Sequence, residues 1–415
     1  MKKLFLLVIL FTTCSLLSDI KAKTRYVGAD VSLLPTYEEA GAKYYDQAGE
    51  PIDDLLTYLY DEGMRAMRVR LFVNPNLFPG NDPNACQDLE YIIPLCQRIK
   101  NCGLDLMLDF HYSDTWADPG AQWIPMEWQD QSDEELNATI YQYTKECLMT
   151  LEANGVTPDF IQPGNEISYG MLWSPYGAPE SEQHKTYIGN PANWERLGNL
   201  LNNAILACRE ICPEAQIIIH TERVAQVNVL TNFYNQMKSL DVDYDIIGLS
   251  YYPYFHGNIS VLKKALSILE TSFPDKEIMI VETGYPYAWE VPGTNQKVDY
   301  PYTEAGQDAF AADLVSTLLE YENVTGLFWW WLEYNAKGTN LSGWYNAPLF
   351  DSRTGKATKA LKTICSFGNS SKVSSIEMNY PSDEKWFDLS GKRINVYQEG
   401  HRGILIHNGK KIIVP

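Results

Sequence analysis

Positive charge is scarce in this chain: 33 Lys and Arg stand against 53 Asp and Glu in 415 residues, a formal net charge of -20. A phosphate backbone is held by a basic footprint, so this balance argues against a nucleic-acid partner and, on the same ground, against polyanionic polymers. Histidine is scarce too, with six scattered residues, and no CxxC occurs, which removes the usual spacing of a zinc cluster. Also missing are an EF-hand loop, a P-loop, a glycine-rich dinucleotide fingerprint and a GxSxG elbow. Gly338–Gly343 is a lone loop motif with no phosphate-type helix after it. No cofactor is therefore expected. Beyond the N-terminus no apolar run approaches the length of a transmembrane helix. There are eight cysteines, and only seven once Cys14 is set aside, so at least one has no partner within the chain. Cys208 and Cys212 fall i,i+4 on an expected helix, where they read as small buried hydrophobes.

What is present is ordinary globular material with many aromatics: 45% hydrophobic, 21% charged, 11 Trp and 27 Tyr. Aromatic faces stack on the apolar faces of sugar rings, so a neutral saccharide suits both the charge and the rings. The chain opens on Met1–Lys3 and a short apolar run, Leu4–Phe11, which is too short to span a bilayer and suits export. Residues 1–23 are expected to be a signal peptide, with Cys14 offering a lipoprotein-type alternative. The expected location is the cell surface, periplasm or medium, and any membrane attachment would be through lipid. A monomer is expected.

Eight apolar, β-branched-rich strands can be read in order: Tyr26–Ser32, Ala66–Phe72, Leu104–Tyr112, Asp159–Asn165, Gln216–Glu222, Tyr244–Tyr252, Glu277–Thr283 and Val324–Trp331. Amphipathic helical segments lie between them, at Pro51–Glu62, Asp88–Asn101, Asp133–Ala153, Asn193–Ile211, Thr231–Leu240, Ser260–Phe273 and Glu304–Tyr321. Strands in parallel sheets are buried on both faces and read as near-continuous apolar runs, as these do. The alternation predicts a (β/α)8 TIM barrel over residues 24–368. About 55 residues separate the starts of the third, fourth and fifth strands. The surplus lies in the loops Ser113–Asp133 and Glu166–Asn193, where this architecture builds its site. From residue 369 the texture changes to a linker-like run. Trp386–Ile394 and Gly403–Val414 follow, with an Asn408–Gly409 turn, so residues 369–415 are expected to form a small C-terminal β module.

In a barrel every strand tip points to one mouth. The tips here carry Asp30, Arg68 and Arg70, Asp109, His111 and Tyr112, Asn165 and Glu166, His220 and Glu222, Tyr251 and Tyr252, Glu282, and Trp329 to Trp331. An acid just beyond an apolar strand is poorly explained by core packing, because burying an unpaired carboxylate is costly. Glu166 and Glu282 are two such acids, more than 110 residues apart, which a barrel returns to one face. Carboxylates with an arginine, an amide and aromatics suit glycosidic cleavage: one carboxylic acid protonates the leaving oxygen while a carboxylate attacks the anomeric carbon. The bland alternatives are a helix cap with a surface acid at Asn165–Glu166 and a salt-bridged strand end at Glu282. Three consecutive tryptophans cannot all face a cleft: alternation admits either the outer two or the middle one, with Trp331 favoured.

GADVS (Gly28–Ser32), MRVRLF with Arg68 and Arg70, DFHYSDTWADPGAQ (Asp109–Gln122), QPGNEISYGMLW (Gln162–Trp173), GLSYYPYF (Gly248–Phe255), VETGYPY (Val281–Tyr287) and the Trp329–Trp344 aromatics carry a resemblance. Over residues 26–365 the chain resembles the arabinogalactan endo-β-1,4-galactanase family (glycoside hydrolase family 53), whose members are retaining (β/α)8 enzymes. The resemblance implies that Glu166 is the acid/base and Glu282 the nucleophile. It puts Asn165 on the substrate 2-hydroxyl, and His111, Trp116 and Asp118 in or beside the sugar site. Trp173, Tyr252, Trp330 and Trp331 are expected sugar platforms. Arg70 is expected to pair with Glu282 and orient it, while Arg68, on the same face, could serve a structural ion pair; Asp30 and Glu222 read as scaffolding of the mouth. Some relatives hold calcium through an Asp- and His-rich segment. Here Ala288–Gly306 contains no histidine, so that calcium is expected to be absent. The implied substrate is neutral galactan. The rivals are another barrel β-glycanase acting on mannan, xylan or glucan, and a non-catalytic surface glycan-binding protein.

Overall fold

The structure is a computed structural model, and it describes residues 23–80, 82–291, 294, 296–334, 347–369, 386–387, 393–394, 403–407 and 410–414. Residues 1–22 of the expected signal peptide, with Cys14, lie outside the described residues, as do the Gly338–Gly343 loop, Trp344, most of the linker-like run and the Asn408–Gly409 turn.

Eight parallel strands close into a barrel: β1 (Tyr26–Asp30), β2 (Ala66–Leu71), β3 (Asp105–Phe110), β4 (Phe160–Pro163), β5 (Gln216–Thr221), β6 (Ile246–Tyr251), β7 (Glu277–Thr283) and β8 (Val324–Trp329). Each pairs in parallel with its sequence neighbours, and β1 pairs with both β2 and β8. The barrel is (β/α)8, as the alternation of the sequence predicts. Its interior holds Ala66, Met107, Phe160, Ile218, Ile246, Met279, Val281 and Phe328, all fully or almost fully buried. Glycine makes room where this layer is tightest. A Cβ on Gly28 would lie 2.2 Å from the Ala66 carbonyl oxygen and 2.5 Å from the Phe328 ring. Small residues facing large ones let such an interior fill without voids.

The eight helices that follow are α1 (Leu55–Glu62), α2 (Leu89–Asn101), α3 (Asp133–Ala153), α4 (Pro191–Ile211), α5 (Val227–Ser239), α6 (Ile259–Ser272), α7 (Glu304–Leu318) and α8 (Lys359–Asn369). Polar caps set where several begin. Asp54, Asp88, Ser132, Asn190 and Thr303 each accept a backbone N–H of the first turn, and Ser132 forms a capping box with Glu135. The cap also corrects one expectation. Pro51 and Ile52 are not helical but form a two-residue ribbon with Tyr44 and Tyr45, because Asp54 accepts the Thr57 N–H and starts the helix at Leu55. The last helix, α8, was not legible as a separate period, since it runs directly into the linker-like residues.

Residues 371–415 form a second compact unit. Within it Trp386–Phe387, Arg393–Ile394, Gly403–His407 and Lys410–Val414 make a four-stranded sheet, and the last two pair antiparallel with His407 opposite Lys410. Among the described residues no helix is long and apolar enough to cross a membrane. All seven cysteines there are free thiols.

Candidate active site

One cavity of about 590 Å³ opens at the C-terminal mouth of the barrel, lined by Trp116, Ala117, Asp118, Pro119, Asn165, Glu166, Glu222, Arg223, Tyr252, Phe255, His256, Glu282, Trp330 and Trp331. Both strand-end glutamates face it, by different local means. Glu166 has φ +48, in the left-handed region that a non-glycine residue enters only when its surroundings hold it there. Its N–H lies 3.3 Å from His220 Nδ1, and its Oε1 accepts the Ser250 hydroxyl at 2.6 Å. Since Ser250 spends its one proton on Glu166, the 2.8 Å contact from His220 Nε2 to Ser250 Oγ must be donated by the ring. Burial and the neighbouring Arg68 hold His220 well below its ordinary pKa, so the ring is neutral and donates through Nε2 alone.

Glu282 reaches the mouth through a bulge. Leu249 of β6 lies opposite Ile280, but the next residue, Ser250, lies opposite Glu282, so β7 carries one extra residue there. The β8 register shows the same insertion. Met279 and Val281 already point into the barrel. Strict alternation would send Glu282 outward with Ile278 and Ile280, and the bulge turns it inward beside Val281.

Arg68, not Arg70, holds Glu282. A single Arg68 nitrogen, Nη2, lies 2.9 Å from Glu282 Oε1, 2.7 Å from Asp109 Oδ2 and 2.8 Å from Asn165 Oδ1. Depth explains the correction. Arg68 sits one layer lower and its long side chain rises through the barrel axis. Arg70, at the rim, is taken by Asp30 at 2.7 Å and roofed by Trp116, Trp330 and Trp331, with its guanidinium 4.7, 5.0 and 5.4 Å from their ring centres. It is fully buried and does not line the cavity.

Other expected residues divide in the same way. Asn165, Trp116, Asp118 and Tyr252 line the cavity. Asn165 donates to the Ala117 carbonyl at 2.8 Å, and the Tyr252 hydroxyl donates to Glu282 Oε2 at 3.1 Å. His111 lies behind the wall: its Nδ1 accepts the Ala117 N–H and its Nε2 is 3.0 Å from Asp109. Trp173 is wholly buried, donates to the Tyr169 carbonyl and carries Lys185 over its face. It packs a loop and is no platform. Of the three tryptophans, Trp329 points outward and donates to the Ala347 carbonyl. Trp330 and Trp331 both line the cavity, an arrangement that alternation did not admit. The strand ends at Trp329, and Trp331 adopts φ +55, which turns two successive rings to one side. Asp30 is the buried partner of Arg70, whereas Glu222 reaches the cavity. The sequence alone does not mark Arg223, Phe255 and His256, which the fold brings to the cavity. Only the tip position of Glu222 and the aromatic run Tyr251–Phe255 hinted at them.

Burial pushes both glutamates up. Glu282 is raised to about 7, burial being opposed by Arg68 and the Tyr252 hydroxyl. Glu166 is raised well above the ordinary value by burial and then by the charges of Glu282 and Glu222, and it makes no ion pair among the described residues. Glu282 is thus the first of the pair to ionise. Below them burial would raise Asp109, but Arg68 and His111 keep it lower than usual and charged. The site pairs a carboxylate fixed by a cation with a carboxylic acid that keeps its proton. Among the described residues no group of three or more His, Cys, Asp or Glu is placed to hold a metal ion.

The family model described as glycosyl hydrolase family 53 matches residues 26–364. An uncharacterized protein encoded in the bgaB 5′ region of Niallia circulans is 34% identical over 349 residues, covering 80% of this chain and 91% of its own. An arabinogalactan endo-β-1,4-galactanase of Cellvibrio japonicus is 32% identical over 346 residues, covering 79% of this chain and 86% of its own. Among solved structures, the catalytic domain of a family 53 glycoside hydrolase from Ignisphaera aggregans superposes with a TM-score of 0.72 at 29% identity, over 84% of this chain and 97% of that one.

Proposed function

The chain belongs to glycosyl hydrolase family 53, and we propose that it cleaves internal β-1,4-galactosidic linkages of neutral (arabino)galactan, such as pectic side chains, with retention. The observation that carries the reading is the unequal anchoring of two glutamates over one cavity. Glu282, tied to Arg68 and Tyr252, acts as nucleophile. Its oxygen forms a bond to the anomeric carbon as the bond to the leaving oxygen breaks, and Glu166 transfers its proton to that oxygen. Water then attacks the glycosyl-enzyme, Glu166 takes a proton from it, and Glu282 leaves as a carboxylate. Asn165, held by Arg68 and Ala117, is positioned for the 2-hydroxyl, whose hydrogen bond strengthens in the transition state. The Cellvibrio relative supports the substrate, as does an aromatic cleft in an acidic protein, which suits a neutral glycan. The proposed chemistry uses side chains of this chain and draws on no cofactor. The basic and apolar start supports export, and a monomer suffices, since every residue invoked comes from one chain.

The test is product release from linear β-1,4-galactan by wild type, Glu166→Gln and Glu282→Gln, with arabinan, xylan and mannan as controls, and with the anomer of the first product read by NMR. Galacto-oligosaccharides of β configuration from wild type, with both variants slowed at least about a thousandfold, are expected. Cleavage of another glycan alone would overturn the substrate, and an α product would overturn the mechanism.

A further inference from the structure

Ser250 is wholly buried on β6, opposite Glu282 in the register with β7, and is not one of the residues lining the cavity. It stands at the height of the reacting pair without reaching the substrate. Its hydroxyl closes a ring of hydrogen bonds around Glu166. The Glu166 N–H can only donate and points to His220 Nδ1 at 3.3 Å, so Nδ1 accepts and the imidazole proton lies on Nε2. His220 Nε2 donates to Ser250 Oγ at 2.8 Å, and Ser250 donates to Glu166 Oε1 at 2.6 Å. Gln162 supports the same tautomer. Its amide NH2 must turn toward Asp109, a charged acceptor, and that nitrogen also lies 3.1 Å from His220 Nδ1. The His220 carbonyl accepts the Ile167 N–H at 3.0 Å, so one histidine ties down two successive N–H groups where Glu166 adopts φ +48.

We infer that Ser250 is a positioning residue for the acid: it occupies Oε1 of Glu166, leaves the transferable proton on Oε2, and tightens its hold as that proton departs. The inference rests on the retaining glycosidase reading above. In a protonated carboxyl the carbonyl oxygen is the better acceptor, so a donor at 2.6 Å selects Oε1 for that role and Oε2 for the hydroxyl. Glu166 lines the cavity, and Oε2 has no hydrogen-bond partner among the described residues. When the glycosidic bond breaks, the Oε2–H bond breaks with it. The proton passes to the leaving oxygen, and Glu166 keeps the electron pair as a carboxylate. The Ser250 bond thereby changes from a neutral to a charge-assisted one, roughly twice as strong. A contact that strengthens along the reaction lowers the barrier, which a contact of constant strength does not. The charges of Glu282 on β7, Glu222 beyond β5 and Asp118 beyond β3 all oppose ionisation of Glu166, and the Tyr252 hydroxyl beyond β6 also faces it. Ser250 acts in the other direction.

The experiment compares kcat/KM of wild type, Ser250→Ala and Glu166→Gln on a pair of substrates. One is the glycan that wild type cuts fastest, and the other is the dinitrophenyl β-glycoside of its disaccharide, whose leaving group departs without a proton. Ser250→Ala is expected to lose roughly ten- to hundredfold on the glycan, the worth of one hydrogen bond to a charged group. On the dinitrophenyl glycoside the loss should be at least about fivefold smaller, and activity there also reports a folded enzyme with Glu282 in place. The alkaline limb of kcat/KM on the glycan should move to higher pH, because the Glu166 carboxylate has lost a donor that favours it. Equal losses on both substrates, no loss on the glycan, or an alkaline limb that stays in place overturns the inference. Glu166→Gln should show the same split between substrates, and a larger one. If it does while Ser250→Ala does not, the inference falls alone. If Glu166→Gln slows both substrates equally, the acid/base reading falls and takes the inference with it.

Discussion

Arg68 and Arg70 leave one strand on one face two residues apart, and depth gives them different tasks. Arg68 gathers Glu282, Asp109 and Asn165 around one nitrogen, whereas Arg70 holds Asp30 under three indole rings. Replacing Arg70 by Met is expected to take from buried Asp30 its closer cation, at 2.7 Å, and leave it only the longer 3.4 Å contact with Arg68 Nη1. The cost is about 3–5 kcal/mol, measurable by denaturant unfolding. The reacting pair makes a pH prediction with a definite sign. Activity requires Glu282 ionised and Glu166 protonated, so kcat/KM should rise as pH passes through the Glu282 value of about 7 and fall where Glu166 finally ionises. Tyr252→Phe removes a hydrogen bond that lowers Glu282. The acid limb of the profile should then move to higher pH with the fold unchanged, and a limb that stays in place would dissociate Tyr252 from the nucleophile.

At the scale of the element, the site depends on places where regular structure breaks. The extra residue in β7 aims Glu282 inward, and positive φ at Tyr112, Glu166 and Trp331 turns the chain just beyond β3, β4 and β8. These departures are stable because the barrel beneath them is closely filled. Gly28→Ala tests that support: its new Cβ would meet backbone at 2.2 Å, which only a separation of β1 from β2 can relieve. A fall in Tm of many degrees, or failure to fold, is expected. Ser132→Ala removes the α3 capping box far from the mouth and should lower Tm by only about a degree or two, with kcat/KM as in wild type.

The whole molecule carries an acidic surplus and several carboxylates whose charge the fold disfavours. Burial raises Glu222 and Glu282 to about 7, and raises Glu333, wholly buried behind the tryptophan wall, to about 8. A carboxyl raised in the folded state binds protons there that the unfolded chain has released. Between the ordinary carboxylate range and pH 8, stability therefore falls as pH rises. Asp109, held low, acts oppositely and loses its contribution only as pH drops below the ordinary aspartate range. Tm should thus be higher near pH 5 than near pH 8. Glu333 accepts the Leu33 N–H through Oε1 at 2.9 Å, which a glutamine oxygen can still do, while Oε2 is buried without a hydrogen bond. Glu333→Gln should raise Tm at pH 8 by a few degrees and leave it nearly unchanged at pH 5. Equal shifts at both would assign the effect to packing instead of charge.

By itself the sequence determined the eight-stranded alternation, the two strand-end glutamates, their shared face and the family, because each is written in local periodicity and in contiguous motifs. It also placed Asn165 and Tyr252, which stand at strand tips, and through the resemblance carried by Asp109–Gln122 it placed Trp116 and Asp118, several residues beyond β3. Only the tertiary structure decided that Arg68 and not Arg70 reaches Glu282, since that turns on depth within a barrel whose layers a one-dimensional pattern does not number. It likewise decided that Trp173 packs a loop, that Trp330 and Trp331 share a side, and that Arg223 and Phe255 face the cavity. The period-two rule holds only while a strand is regular, and at this mouth a bulge and left-handed residues end that regularity where the chemistry begins.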